Sequence, residues 1–271
     1  MRLSKTEKEK LKSSLLKLEK KYVRKYFMNV IKEETKFNPI KISDPLLFIK
    51  RLYLFCVYDL VGGKVEINKI STGYSNFCNF IEKLENNNKL RDYDLFFDSL
   101  ELFINNNQNI NRWRNNIPPV LKNTNLREVL SLTAFKGMGH KTAALFLRFL
   151  VKYTRFFTNT KNVNLIVPLD RVNARIIYEC LDSSFPTKNF SLKSLIKLQK
   201  IAKDIMVEPE NWIYLDNFWF YGHFYYDRID DKAKGLRKKI QLNSFICEKE
   251  FKYIQRIKLP KHLILIKKYN V

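Results

Sequence analysis

The sequence predicts an all-α protein, and three observations carry that reading. Apolar residues recur three and four positions apart in runs of about ten to sixteen residues, the spacing of one helix face. The apolar and polar alternation of a half-buried strand is rare. Between the runs stand Pro, Gly and Asn clusters of the kind that stop one helix and start the next.

In chain order, a charged amphipathic helix is predicted over roughly Thr6 to Lys32, where Leu11, Leu15, Leu18, Tyr22, Tyr26 and Ile31 keep one stripe and lysines cover the other face. After Asn38-Pro39, Asp44 is placed to cap, and Pro45 to open, an apolar helix from Leu46 to Val61 that Gly62-Gly63 ends. Helices of about Tyr74 to Leu84 and Tyr93 to Ile104 are followed by the polar runs Glu85 to Lys89 and Asn105 to Asn109, which read as loops. A short helix over Ile110 to Ile117, holding Trp113 between Arg112 and Arg114, is halted by Pro118-Pro119. Leu126, Val129, Leu130 and Thr133 then begin a helix that Thr124 or Asn125 caps, and Ala144 to Leu150 belong to the next. Thr158 to Asn164 is turn-like and Leu165 to Leu169 is a short apolar lead-in to Asp170. Asp170 is an apt N-cap for a helix whose apolar face is Val172, Ile176, Ile177 and Cys180. Ser191 to Met206 is amphipathic again, and Pro209 leads into an aromatic-dense helix, Trp212 to Tyr221, ended by Gly222. The last stretch, 232–271, allows helix or strand.

With 271 residues, 45% of them hydrophobic, the chain can bury a core as one large domain or as two closely packed subdomains. Lys+Arg of 50 against Asp+Glu of 27 leaves a formal charge of +23. Such an excess on a folded chain predicts a polyanionic partner, nucleic acid before membrane, with a lysine-rich solvated surface as the plainer alternative. Segment 232–271 carries twelve Lys/Arg against two Glu, so the basic charge is concentrated at that end. Cys56, Cys78, Cys180 and Cys247 are too widely spaced for a CxxC metal knuckle or an iron–sulfur cluster, and His140, His223 and His262 make no His-rich site. Neither a metal nor a cofactor is therefore expected. The start of the sequence runs straight into charge, and no apolar stretch is long enough to span a bilayer, so a soluble intracellular protein is expected.

The stretch with the most chemistry is Leu132-Thr133-Ala134-Phe135-Lys136-Gly137-Met138-Gly139-His140-Lys141-Thr142-Ala143-Ala144, a Gly-x-Gly turn between two apolar helical runs. Gly137 and Gly139 suit a turn that needs positive φ and bare backbone. The helix that follows has first-turn N–H groups without intrahelical partners, which can hold a phosphate. A phosphate grip by the amides of Gly137, Met138 and Gly139 is expected, with Lys136 and His140 adding charge or a donor.

Taken with Val167-Pro168-Leu169-Asp170-Arg171-Val172 downstream, this stretch resembles the helix-hairpin-helix DNA glycosylases, above all their lysine-bearing, 8-oxoguanine-removing branch. The interval between Lys141 and Asp170 is closer to the archaeal 8-oxoguanine glycosylases than to the compact eukaryotic type. The resemblance implies that Lys141 is the nucleophile and Asp170 the electrostatic partner of a bifunctional glycosylase and AP lyase acting on duplex DNA that contains a damaged base. It also implies two helical subdomains with the active-site cleft between them. One would be residues 33–157, carrying the hairpin at about 126–150; the other would join 1–32 to 158–271.

The chemistry suits those residue types independently. Breaking an N-glycosidic bond needs a nucleophile for C1′, which an amine supplies, and stabilisation of positive charge on the sugar, which a carboxylate supplies. A lysine at a helix start, partly desolvated and near other cations, is pushed toward its neutral form, while a nearby Asp170 opposes that shift. A damaged base must leave the stack for a pocket that reads its edge and stacks on its face. Trp212, Phe218 and Trp219, with Asp216 among them, are the candidate wall of that pocket, core packing being the alternative for each ring. Two other readings stay open: a non-catalytic hairpin DNA-binding protein, and a glycosylase for another damaged or mismatched base. A monomer is expected, in the cytoplasm with the nucleoid for a prokaryotic source or in the nucleus for a eukaryotic one.

Overall fold

The computed structural model describes residues 4–59, 67–106, 117–160 and 163–221. The predicted stops at Gly62-Gly63 and Gly222, most of the predicted helix Ile110 to Ile117 with Arg112, Trp113 and Arg114, and the basic segment 232–271 lie outside the described residues. Among the described residues the chain is helical and contains no strand, so it is all-α. The helices are α1 (Lys5–Leu18), α2 (Arg24–Thr35), α3 (Pro45–Leu54), α4 (Ile67–Asn86) and α5 (Tyr93–Asn106), then α6 (Leu126–Leu132), α7 (His140–Arg148), α8 (Arg171–Cys180), α9 (Leu192–Met206) and α10 (Asp216–Tyr221). None of them is long and apolar enough to cross a membrane.

Side chains start several of these helices. Ser4 and Glu7 form a reciprocal capping box at α1. Asp44 accepts the Leu47 N–H at 2.9 Å with Pro45 at the first helical position of α3. The first helix differs from its expected single run. A π-helical stretch over Glu19–Val23 separates α1 from α2, and the buried Glu19 and Val23 carry the stripe of Leu11, Leu15 and Leu18 on to Phe27. Similar π-helical stretches extend α3 over Phe55–Asp59 and α7 over Phe149–Tyr153.

The chain divides into two compact units. Among the described residues, the first gathers 4–25, Pro118–Asn123 and 164–221. Within it α9 packs on α1, on the short 3₁₀ turn Pro119–Leu121 and on the 3₁₀ segment Pro209–Leu215, while α10 packs on α8 and on Glu19–Val23. The buried Asn217 of α10 donates to the Leu15 carbonyl of α1 at 2.8 Å. At the surface of this unit Lys8 pairs with Asp204 at 2.6 Å.

Among the described residues, the second unit gathers 26–59, 67–106, 117, 124–160 and 163. Its core is aromatic. Tyr53 of α3 stacks on Phe77 of α4 with ring centroids 4.2 Å apart, and Phe135 and Phe146 present edges to both rings. Phe27 meets Phe149 and Tyr153 where α7 runs into its π-helical stretch. Cys56 is buried in this unit and Cys78 half-buried.

One backbone feature of the first unit is strained. Val207, which ends α9, has φ 60° and ψ −65°, and the Glu208 N–H closes a three-residue turn onto the Met206 carbonyl at 2.7 Å. This is the rare γ-turn, held here by a β-branched residue whose side chain is 61% exposed and packs little. Val207→Gly relieves the strain at the cost of a freer unfolded chain, and the expected net gain is about 1 kcal/mol. Urea unfolding checks it through a higher midpoint at unchanged slope.

Candidate functional site

The hairpin is built from its apolar ends inward. α6 closes with the Phe135 N–H on the Leu132 carbonyl at 3.2 Å, and the Met138 N–H then returns to the Phe135 carbonyl at 3.0 Å. Phe135 and Met138 are both buried, so Phe135-Lys136-Gly137-Met138 is a β-turn pinned in the core at its two ends. Gly137, in its third position, has φ 94°, the left-handed value that a type II turn demands there. Between the pins Lys136 is exposed and Gly137 half-buried.

The Met138 N–H is engaged in closing this turn, so Met138 anchors the loop and does not offer its amide to a ligand. That corrects the expectation of a three-amide grip. Among the described residues no acceptor takes the N–H of Gly137 or of Gly139.

Gly139 differs from Gly137 in its reason for being glycine. It is the N-cap of α7 with φ −80° and ψ 173°, extended backbone that any residue adopts, and a Cβ built on it would meet nothing within 4 Å. Positive φ was the expectation for both glycines; only Gly137 requires it. Gly139 has no side chain with which to cap the amides at the start of α7. His140 and Lys141 occupy the first two positions of that helix, His140 exposed and Lys141 half-buried. Desolvation of its ring by neighbouring residues lowers the His140 imidazole below its ordinary range.

Two residues under the turn were not singled out by the sequence. Tyr53 is fully buried and its hydroxyl donates to the Lys136 carbonyl in a long bond of 3.4 Å. Gly73, inside α4, lies so close to the Lys136 peptide that an added Cβ would collide with its carbonyl oxygen, carbon and nitrogen. Burial pushes the Tyr53 phenol far above its ordinary range, so it remains a protonated donor. A glycine inside a helical pattern hints at such a close approach; nothing in the sequence around Tyr53 separates it from other core aromatics.

Asp170 belongs to the first unit. Its side chain caps α8, accepting the Asn173 N–H at 2.8 Å, and it is 6% exposed. The extended lead-in is held by side-chain amides in place of a neighbouring strand. Asn173 donates to the Pro168 carbonyl at 2.9 Å, and Gln199 of α9 faces the Val167 peptide with its oxygen 3.4 Å from the N–H and its nitrogen 3.5 Å from the carbonyl. Asn173 and Gln199 are fully buried, and a buried amide in an apolar stripe is the signal that could have found them.

The pocket candidates sit in the same unit as Asp170. The expected continuous helix from Trp212 to Tyr221 is a 3₁₀ segment, Pro209–Leu215, followed by α10, which Asp216 opens. Trp212 and Phe218 are core side chains, 2% and 1% exposed, so neither presents a ring face for stacking. Trp219 is half-buried and keeps an accessible part, and Asp216 is buried. The hairpin residues Lys136 to Lys141 are thus brought together in one unit, and Asp170 with Trp212, Asp216, Phe218 and Trp219 in the other.

No family model, curated protein or solved structure matches the chain.

The amide network makes a distinction between cap and loop. Asn is as good an N-cap as Asp, so Asp170→Asn is expected to keep the stability of α8 within about 0.5 kcal/mol. Asn173→Ala leaves the buried Pro168 carbonyl without its donor and is expected to cost about 1–3 kcal/mol in chemical denaturation.

Proposed function

We propose that the chain is a bifunctional DNA glycosylase and AP lyase that removes 8-oxoguanine from duplex DNA, with Lys141 as nucleophile and Asp170 as electrostatic stabiliser. The observation that carries the reading is Gly139. The fold gives it ordinary φ and open space where a side chain would stand, at the start of a helix and next to Lys141. A glycine without a folding reason, beside the positive end of a helix dipole on a chain of charge +23, leaves room for a phosphate to reach bare backbone. Lys136 adds a cation on the exposed side of the same turn.

In this reading the damaged base departs with the electrons of the N-glycosidic bond and takes up a proton. The amine of Lys141 forms a bond to C1′ as positive charge on the sugar is met by the carboxylate of Asp170. Loss of a proton and opening of the ring give a Schiff base. Removal of a C2′ proton then expels the 3′ phosphate, which nicks the strand. Asp170 serves both as helix cap and as fixed negative charge, so its buried, hydrogen-bonded setting holds the carboxylate ready before the sugar arrives. Trp219 and Asp216 are the residues proposed to meet the flipped base, the first by its accessible ring and the second by accepting hydrogen bonds from a guanine edge.

Borohydride trapping on an 8-oxoguanine duplex tests the chemistry. The native protein is expected to form a covalent adduct and Lys141→Gln to form none; an adduct retained by Lys141→Gln removes the lysine from its role. Asp170→Asn is expected to bind the duplex while its single-turnover rate falls by about 10²–10³-fold. Trapping on duplexes with other damaged or mismatched bases, but not with 8-oxoguanine, would reassign the substrate.

Gly139→Ala separates function from fold. Its expected effect on stability is within about 1 kcal/mol, because the position is open and its φ is ordinary. Duplex affinity is expected to fall, since the added methyl stands where a phosphate would approach; fluorescence anisotropy against thermal melting reads the two apart.

A further inference from the structure

We propose that Tyr53 and Gly73 are positioning residues for phosphate: by holding the Lys136 carbonyl inward they aim the Gly137 N–H outward, at a phosphate of the bound strand. The inference rests on the nucleic-acid reading of the hairpin and is independent of the glycosylase chemistry.

A β-turn has two common forms that differ by a flip of the peptide between its second and third residues. Here that is the Lys136–Gly137 peptide, and φ 94° at Gly137 assigns the type II form. There are no cis peptides among the described residues, and in a trans peptide the C=O and the following N–H point in opposite directions. A Lys136 carbonyl directed at Tyr53 and Gly73 therefore places the Gly137 N–H on the side away from the core. In the other form the carbonyl dipole would face outward and repel an anion, and the N–H would be turned in.

Two independent contacts select the observed form. Gly73 is the space: its missing Cβ is what lets the Lys136 peptide lie against the backbone of α4. Tyr53 is the acceptor's partner. Its ring is fixed by the stack on Phe77 and the edges of Phe135 and Phe146, so its hydroxyl has one place to point, and a flipped peptide would leave that buried hydroxyl without an acceptor. The 3.4 Å bond is long, so the steric contact fixes the position of the peptide and the hydroxyl fixes its orientation.

The chain has seven glycines, so selective ¹⁵N-glycine labelling reduces its amide spectrum to seven signals, Gly137 and Gly139 among them. The full-length protein is titrated with a short undamaged DNA duplex at low salt. Both signals are expected to move in the native protein. In Tyr53→Phe, which keeps the ring and removes the hydroxyl, the Gly137 response is expected to fall to less than about half while Gly139 still responds. The slope of log affinity against log salt is expected to become shallower by about one phosphate contact. The melting temperature should stay within about 4 °C of native.

Gly73→Ala is expected to abolish the Gly137 response; if that variant does not fold, Tyr53→Phe carries the test. An unchanged Gly137 response and an unchanged salt slope in Tyr53→Phe overturn the proposal. Binding with these changes but without trapping on 8-oxoguanine keeps this inference and removes the glycosylase reading. Trapping with a native-like Gly137 response in Tyr53→Phe does the reverse, and a native protein that binds no duplex removes both.

Discussion

The contact on which the turn between α6 and α7 depends is backbone on backbone: the Lys136 peptide lying against α4 at Gly73. Around it the aromatic core of the second unit is arranged as a socket. Phe135 packs against Phe77, Phe80 and Phe103, the Tyr53 hydroxyl meets the turn at the Lys136 carbonyl, and Met138 is buried. Close-packed interiors resist small displacements, so a loop seated in such a socket has a defined conformation although its tip is polar and exposed. The hairpin is a surface feature with the rigidity of a core.

The first unit solves a different problem. The lead-in to Asp170 is extended, and extended backbone normally needs a neighbouring strand for its hydrogen bonds. An all-helical body has none to give. Asn173 and Gln199 replace it, each a buried side chain that makes peptide-like contacts with the backbone of the loop. The result is that Asp170 is fixed from two sides, by the helix it caps and by the loop that delivers it.

Much of this was legible from residue order. Helical periodicity gave the class, and punctuation gave the starts of α3 and α8, because Asp44-Pro45 and Asp170 cap by local geometry that needs no tertiary information. What stayed hidden was set by contacts distant in sequence. A glycine before Tyr74 looks like a boundary, yet α4 runs through it from Ile67, and Gly73 answers to Lys136 some sixty residues away. The π-helical stretch Glu19–Val23 was invisible because one inserted residue leaves the stripe before and after it looking helical. Residue order assigns Gly137 and Gly139 the same job, and only backbone angles separate the one that the turn requires from the one that the fold could do without.

The scarcity of glycine has its own consequence for how this chain can change. A lysine-rich surface tolerates exchange of one charged side chain for another at little cost to the fold. A single peptide unit here draws on two of seven glycines, one in the turn and one in the facing helix. Any drift at one of them is felt through the other, so the pair behaves as a single heritable unit embedded in a surface that is otherwise free to wander.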